Sequence, residues 1–329
     1  MNRATARTAG GLHWPMELRM ATPRPIEHMA RQALDRYAAA IRLHEPFVPF
    51  RAPSGITEAQ ARRQALEWLL GEHGRTIDPA PPDVEADVLI RNLLTIRRPG
   101  GIPETVQACL DRILAARVRA RGVVAPDEVA AGSGPSATIS GTTTKVWRGD
   151  ITRLSVDAIV NAANAELLGC FRPGHACIDN AIHSTAGPRL RDDCACIIEI
   201  QGHPEESGDA KITRAYHLPA RFVLHTVGPV VAGGRVQEPH ERALASSYRS
   251  CLELAHATPS LRTLAFCAIS TGVFGYPKDR AAGVALRTVS DWLSGHPGAF
   301  DLVVFNVFSD ADQRAYEQAM GAGGKNPTS

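Results

Sequence analysis

From Thr142 onward, short β-rich runs alternate with segments of helical period, and this rhythm restricts the fold more than any other feature. The runs are Thr142–Trp147, Val156–Val160, Arg221–Val227, Thr263–Ile269 and Asp301–Val307. Between and after them lie helical patterns at His175–Ala186, Pro188–Ile198, Glu241–His256, Lys278–Leu293 and Asp310–Met320. Strands joined through helices cannot close as hairpins. They need crossovers, which predict a mostly parallel sheet with helices on both faces, a three-layer α/β/α arrangement. Ligands of such sheets bind beyond the carboxyl ends of the strands, so the informative residues are sought in those loops.

The preceding residues read as helices without strands. Apolar residues recur at three- and four-residue spacing in Ile26–Arg42, Thr57–Leu70, Asp83–Leu94 and Glu104–Arg119, and proline-rich breakers separate them. Thr57 and Gln60 have capping-box spacing, and Asp83 after Pro82 is a candidate N-cap. The stretch Gly122–Gly141 turns to small residues, Gly, Pro and Ser. The expected division is a helical N-terminal extension (residues 1–125), a linker (126–141), the α/β unit (142–322) and a disordered tail (323–329).

Lys+Arg 36 against Asp+Glu 34 leaves a formal charge of +2, which makes no electrostatic case for nucleic acid. No apolar run reaches membrane-spanning length, and the N-terminus has no hydrophobic core of a secretory signal. A cytoplasmic location is therefore expected. The seven cysteines then read as thiols or ligands rather than a disulfide framework.

Three loops carry candidate chemistry. The first is VDAIVNAAN at 156–164, preceded by GDIT at 149–152. Its strand opens into small residues and amides, which suit a polar ligand near the backbone or an ordinary turn. The second is CFRPGHAC at 170–177. Cys170, His175 and Cys177 offer two thiolates and an imidazole, a set zinc prefers, with one coordination position left open. The alternative is a pair of core thiols near a capping histidine. Asp179 follows near a helix start, where the dipole favours its ionised form. It reads either as a first-turn acid or as a base that orients water. The third loop is STGVFGYP at 270–277, a Gly-rich strand-to-helix turn that could cradle phosphate or simply turn. It matches neither the Walker A nor the dinucleotide fingerprint. Cys109, Cys194, Cys196, Cys251 and Cys267 read as core thiols, and His183, His203, His217 and His225 as packing or hydrogen-bonding groups. Arg189, Arg191, Asp192 and Asp193 read as a solvated helix face.

In combination, GDIT, DAIVNAAN, IHSTAG at 182–187, AISTGVFGYP at 268–277 and VVFNVFS at 303–309 resemble the macrodomain family over Thr142–Met320. The replacement of that family's usual glycine run by CFRPGHAC, together with LIRNLLTIRRP at 89–99, resembles its zinc-dependent microbial branch. The resemblance implies a three-layer α/β/α macrodomain with a mixed central sheet and ADP-ribose as ligand. It implies that Asp150, with Ile151 beside it, meets the adenine, and that Asn164 holds the distal ribose. Ser270, Thr271, Gly272, Val273, Phe274 and Gly275 would wrap the diphosphate, with Phe274 against the distal ribose. Phe308 or Asn306 would border the adenine, and Cys170, His175 and Cys177 would bind zinc. The implied reaction is hydrolysis of mono-ADP-ribose from modified proteins, acidic linkages favoured, with Asn164 and Asp179 catalytic. An ADP-ribose reader without turnover, an enzyme on O-acetyl-ADP-ribose and a zinc-stabilised structural domain are the rival readings.

Overall fold

The computed structural model describes residues 26–76, 78, 79 and 81–323. Its strands are β1 (Ser136–Ile139), β2 (Thr142–Arg148), β3 (Ala158–Ala162), β4 (Ala210–Arg214), β5 (Phe222–Thr226), β6 (Thr263–Phe266) and β7 (Leu302–Val307). They form one sheet in the order β1-β2-β7-β6-β3-β5-β4. Pairing is parallel from β2 through β5, while β1 on β2 and β4 on β5 are antiparallel. Every residue of β5 and β7 is buried, as strands covered on both faces must be.

The two antiparallel edges lie outside the five runs expected from sequence. In β4, Lys211 is buried because its ammonium bonds Glu205 at 2.6 Å, so a charged residue sits where an apolar one would have signalled a strand. The span 126–141 holds a helix, α5 (Pro126–Ala131), as well as β1, so the sheet begins at Ser136. At the other end the last helix runs through Gly323, and the rest of the expected tail lies outside the described residues.

The helices are α1 (Ile26–Asp35), α2 (Glu58–Gly71), α3 (Asp83–Ile96), α4 (Glu104–Arg121), α6 (Ile178–Ala186), α7 (Pro188–Gln201), α8 (Glu238–Ala257), α9 (Lys278–Gly295) and α10 (Asp310–Gly323). Helices α6 and α7 pack against β3 and β4, and α8, α9 and α10 pack side by side in the second helical layer. Thr57 and Gln60 form the expected capping box of α2. Pro82 rather than Asp83 occupies the N-cap of α3, and Asp83 opens its first turn.

The extension divides between two cores. Helices α2, α3 and α4 enclose their own cluster around Leu66, Leu69, Ile90, Leu110 and Ile113. The end of α1 and the residues just after it belong instead to the core of the sheet, where Leu34, Tyr37, Ile41 and Leu43 are buried. The Tyr37 hydroxyl accepts a hydrogen bond from the Ile212 N–H at 3.0 Å, so the extension finishes the packing of an edge strand.

Polar contacts tie α4 to the sheet unit. Asp111 is buried and accepts from Arg189 and from His217 Nε2 at 2.9 Å, and it also accepts from the Phe50 N–H at 2.7 Å. Burial opposes its charge, but the His217 hydrogen bond and the Arg189 guanidinium hold its carboxyl below the usual range. The stretch from Arg189 to Asp193 is therefore not a solvated face. Arg191 and Asp193 are buried, because α7 lies between sheet and extension and its charges are consumed there. Arg191 donates to the carbonyls of Leu94, Arg97 and Leu168, at 2.8, 2.6 and 2.7 Å, which binds the end of α3 to the loop ahead of Cys170.

Asp111→Ala should cost about 3 kcal/mol, because it strands Arg189 and His217. Urea unfolding at neutral pH checks this. Since folding depresses the carboxyl, the contribution is present above the ordinary carboxylate pKa and fades as pH falls, so the gap between variant and parent should narrow in acid.

Candidate active site

The segments of interest leave the carboxyl ends of β2, β3 and β6, with the 156–164 and 170–177 stretches joined in the one connection after β3. After β3, Asn164 organises its own loop: its Nδ2 donates to the Gly169 carbonyl at 3.0 Å, and its Oδ1 accepts from the Glu166 N–H at 3.1 Å. That leaves one N–H and one lone pair for a ligand. Gly169 has φ +79, and a Cβ there would stand 2.9 Å from the His183 ring, so the chain passes His183 only because this residue is glycine.

Beyond Gly169 the loop brings Cys170, His175 and Cys177 together, their ligand atoms all within 4.8 Å of one another and all half-buried. His175 Nδ1 lies 3.4 Å from Cys170 Sγ. Cys177 is also the N-cap of α6, its sulfur accepting from the Asn180 N–H at 3.4 Å. Burial pushes the Cys177 thiol up to about 11, with Cys170 and Asp179 adding to it. Two thiols and an imidazole crowded in this way fit a zinc ion by donor chemistry and by partial exposure.

Asp179 lies in the first turn of α6, and its Oδ1 accepts from Asn161 Nδ2 at 2.8 Å. Burial raises its carboxyl to about 6, because desolvation outweighs the Asn161 bond and the Arg191 charge, and still leaves it mostly ionised at neutral pH. Behind it lies a network that sequence spacing did not reveal. Asn161 Nδ2 is 3.2 Å from His225 Nδ1, and His225 Nε2 is 2.9 Å from Thr213 Oγ1. Burial lowers His225 to about 3, so the ring is neutral and, by this assignment, Nε2–H donates to Thr213. His183, Cys194 and His225 also lie within metal-ligating distance of one another. Both His225 nitrogens are already engaged, by Asn161 and Thr213, which leaves that group without its third free donor. His225 is opposite Lys211 in the register of β4 and β5 and reaches Thr213 diagonally, and no local motif announces such a contact.

After β6, Ser270 turns the chain at φ +64, buried, with its hydroxyl unpartnered. The turn closes with Gly275 N–H on the Gly272 carbonyl and Tyr276 N–H on the Ser270 carbonyl, both at 3.0 Å. Thr271 bonds back to the Ala268 carbonyl, through its hydroxyl at 2.9 Å. Among the described residues, the N–H groups of Gly272, Val273 and Phe274 donate to no protein acceptor. Three successive free amides on an exposed turn are suited to an anion. Phe274 packs on the cluster of Ala163, Leu167 and Val227, which joins this turn to the Asn164 loop.

At the end of β2, Asp150 Oδ1 accepts from Thr152 N–H at 3.0 Å and from its hydroxyl at 2.6 Å. Its other oxygen pairs with Arg121, whose guanidinium also donates to Thr152 Oγ1 at 2.7 Å and Thr185 Oγ1 at 3.1 Å. Burial resists the charge on Asp150, but Thr152 and Arg121 hold its carboxyl below the usual range. Ile151 is buried beside it. Asn306 is also buried, donating to the Gly149 carbonyl at 2.9 Å, whereas Phe308 stands 76% exposed. Of the two residues expected near a base, Phe308 has the free ring and Asn306 braces the turn before Asp150. Arg121 comes from the extension, and nothing in the local sequence links it to Asp150.

Comparison with known proteins bears on this arrangement. The Macro domain model matches residues 160–285. A "Protein-ADP-ribose hydrolase" of Treponema medium is 42% identical over 267 residues, 80% of this chain and 100% of the relative. A protein of the same name from Staphylococcus aureus (strain MRSA252) is 51% identical over 181 residues, covering 55% of this chain and 67% of its own length. Among solved structures, a Trypanosoma brucei macrodomain in complex with ADP-ribose is 31% identical, with a TM-score of 0.53, over 70% of this chain and 95% of that one. An Oceanobacillus iheyensis macrodomain mutant with ADPR is 35% identical, also with a TM-score of 0.53, over 58% and 98%.

Proposed function

The chain belongs to the macro domain family, and from that membership we propose that it is a hydrolase that frees mono-ADP-ribose from modified protein side chains, acidic linkages foremost. The observation that carries this reading is the convergence, in one loop and helix start, of the Asn164 amide, the Cys170–His175–Cys177 triad and the Asp179 carboxyl. A reader without turnover needs only the nucleotide contacts, not a metal-ligand triad beside a positioned carboxyl.

The free N–H groups of Gly272, Val273 and Phe274 take the diphosphate. Asp150 accepts from the adenine amino group, and Ile151 and Phe308 supply apolar contact to the base. Asn164 spends its remaining N–H and lone pair on the distal ribose, which orients the carbon to be attacked. Cys170, His175 and Cys177 hold zinc, which when bound supplies Lewis acidity towards an oxygen of the substrate. Asp179, raised to about 6 by burial, is in range to take a proton from the attacking water. Asn161 holds its Oδ1 so that the carboxyl keeps one orientation.

Release of ADP-ribose from a mono-ADP-ribosylated protein, followed by chromatography, tests the proposal, and tight ADP-ribose binding with no release would overturn it. A smaller effect is expected at Asp150. Asp150→Ala should weaken ADP-ribose binding about tenfold, the loss of one charge-assisted hydrogen bond, as read by calorimetry.

A further inference from the structure

A groove of about 750 Å³ runs between the extension and the loop that carries the metal-ligand triad. Val88, Arg91 and Arg117 of α3 and α4 line one wall, while Gly174–Cys177 and the outer side of α6, through Asn180 and Ser184, line the other. Helix α6 thus has two working faces. Asp179 turns inward to Asn161 on β3, and its neighbour Asn180 turns outward to the groove, as the helical repeat requires. The triad stands where the two faces meet, because Asn180 N–H caps on Cys177 and Asn180 Nδ2 donates to the His175 carbonyl at 2.9 Å.

The groove carries one uncompensated positive charge. Of the three arginines that line it, Arg117 pairs with Asp87 at 3.0 Å and Arg121 with Asp150. Arg91 is exposed and has no carboxylate partner among the described residues. Beside it Val84 and Val88 are 76% and 42% exposed, apolar surface that a single chain gains nothing by presenting.

We infer that this groove seats the polypeptide around the modified residue of the substrate protein, and that it favours acidic flanking sequence. The inference rests on the hydrolase reading. With the nucleotide on the strand-end side and its distal ribose at the triad, the attached protein side chain leaves towards the α6 outer face, where the groove begins. Arg91 then meets acidic side chains of the partner, and Val84 and Val88 cover its apolar ones. The extension selects substrates without touching the reacting atoms.

The test uses the full chain and synthetic mono-ADP-ribosylated peptides of equal length, flanked either by Asp and Glu or by Lys and Arg. The acid-flanked peptide should have a KM roughly tenfold lower, and Arg91→Glu should abolish or reverse that preference while kcat and the affinity for free ADP-ribose stay at parent values. Val88→Asp should raise KM for the acid-flanked peptide in the same way. Equal KM for both peptides, or a preference untouched by Arg91→Glu, would overturn the inference. Both positions are exposed on a helix, and thermal melts confirm that each variant folds; should Arg91→Glu not fold, Arg91→Gln removes the charge instead. If no peptide is cleaved, the hydrolase reading falls, and direct titration of the same peptides still decides the groove. A preference lost in Arg91→Glu upholds it, and no preference overturns it.

Discussion

Asp179→Asn should lower kcat for release of ADP-ribose about 10²–10⁴-fold while leaving ADP-ribose affinity close to the parent value. The substitution is chosen because asparagine keeps the shape of the carboxyl and one acceptor oxygen. The hydrogen bond from Asn161 Nδ2, at 2.8 Å in the parent, can therefore persist. What is lost is the capacity to take up a proton. Asp179→Ala removes both properties and leaves Asn161 short of an acceptor in a buried site, so it should show the same loss in rate together with a lower melting temperature. Steady-state kinetics and thermal melts of the two variants separate the contributions. Parent-like kcat in Asp179→Asn would reduce Asp179 to a structural acid of the first helical turn.

The second large effect is expected at Cys177, which has two jobs. It is one of three donors within 4.8 Å of one another, and its sulfur caps α6. Cys177→Ser separates them. Serine is a better N-cap than cysteine, so the helix start should hold, whereas a hydroxyl is a poor zinc ligand. Zinc affinity should fall by more than the roughly 10–100-fold that follows loss of a mere supporting contact to a metal ligand. Metal analysis of the purified variant reads this directly, and hydrolysis should fall with it. Cys177→Ala should add about 1 kcal/mol of lost capping. Stoichiometric zinc retained in Cys177→Ser would remove Cys177 from the metal site, and full hydrolysis in a zinc-stripped protein would make the metal structural.

The layered fold was legible because its signals are local. Short runs rich in β-branched and aromatic residues, such as Leu302–Val307, read as central strands, and helical spacing between them dictates crossovers. The edge strands were not legible, since Ser136–Ile139 and Ala210–Arg214 are short and polar and become strands only by pairing with a neighbour. The same division runs through the site. Asn164, Cys170, His175, Cys177 and Asp179 lie within sixteen consecutive residues, and the Gly-rich turn at Ser270–Gly275 is contiguous too, so residue type and spacing were enough to pick them out.

Everything that couples these residues to the rest of the chain was decided in three dimensions. Arg121 lies 29 positions from Asp150, and Asn161 lies 64 from His225, and no periodicity relates either pair. The charges at Arg189–Asp193 have the pattern of a solvated face, and Arg189 and Arg191 are taken up only because α3 and α4 lie over them. Chemistry carried by neighbouring residues is written in their order along the chain. Burial, the pKa values that follow from it and the arginine-lined groove depend on surfaces that meet only when distant segments fold together.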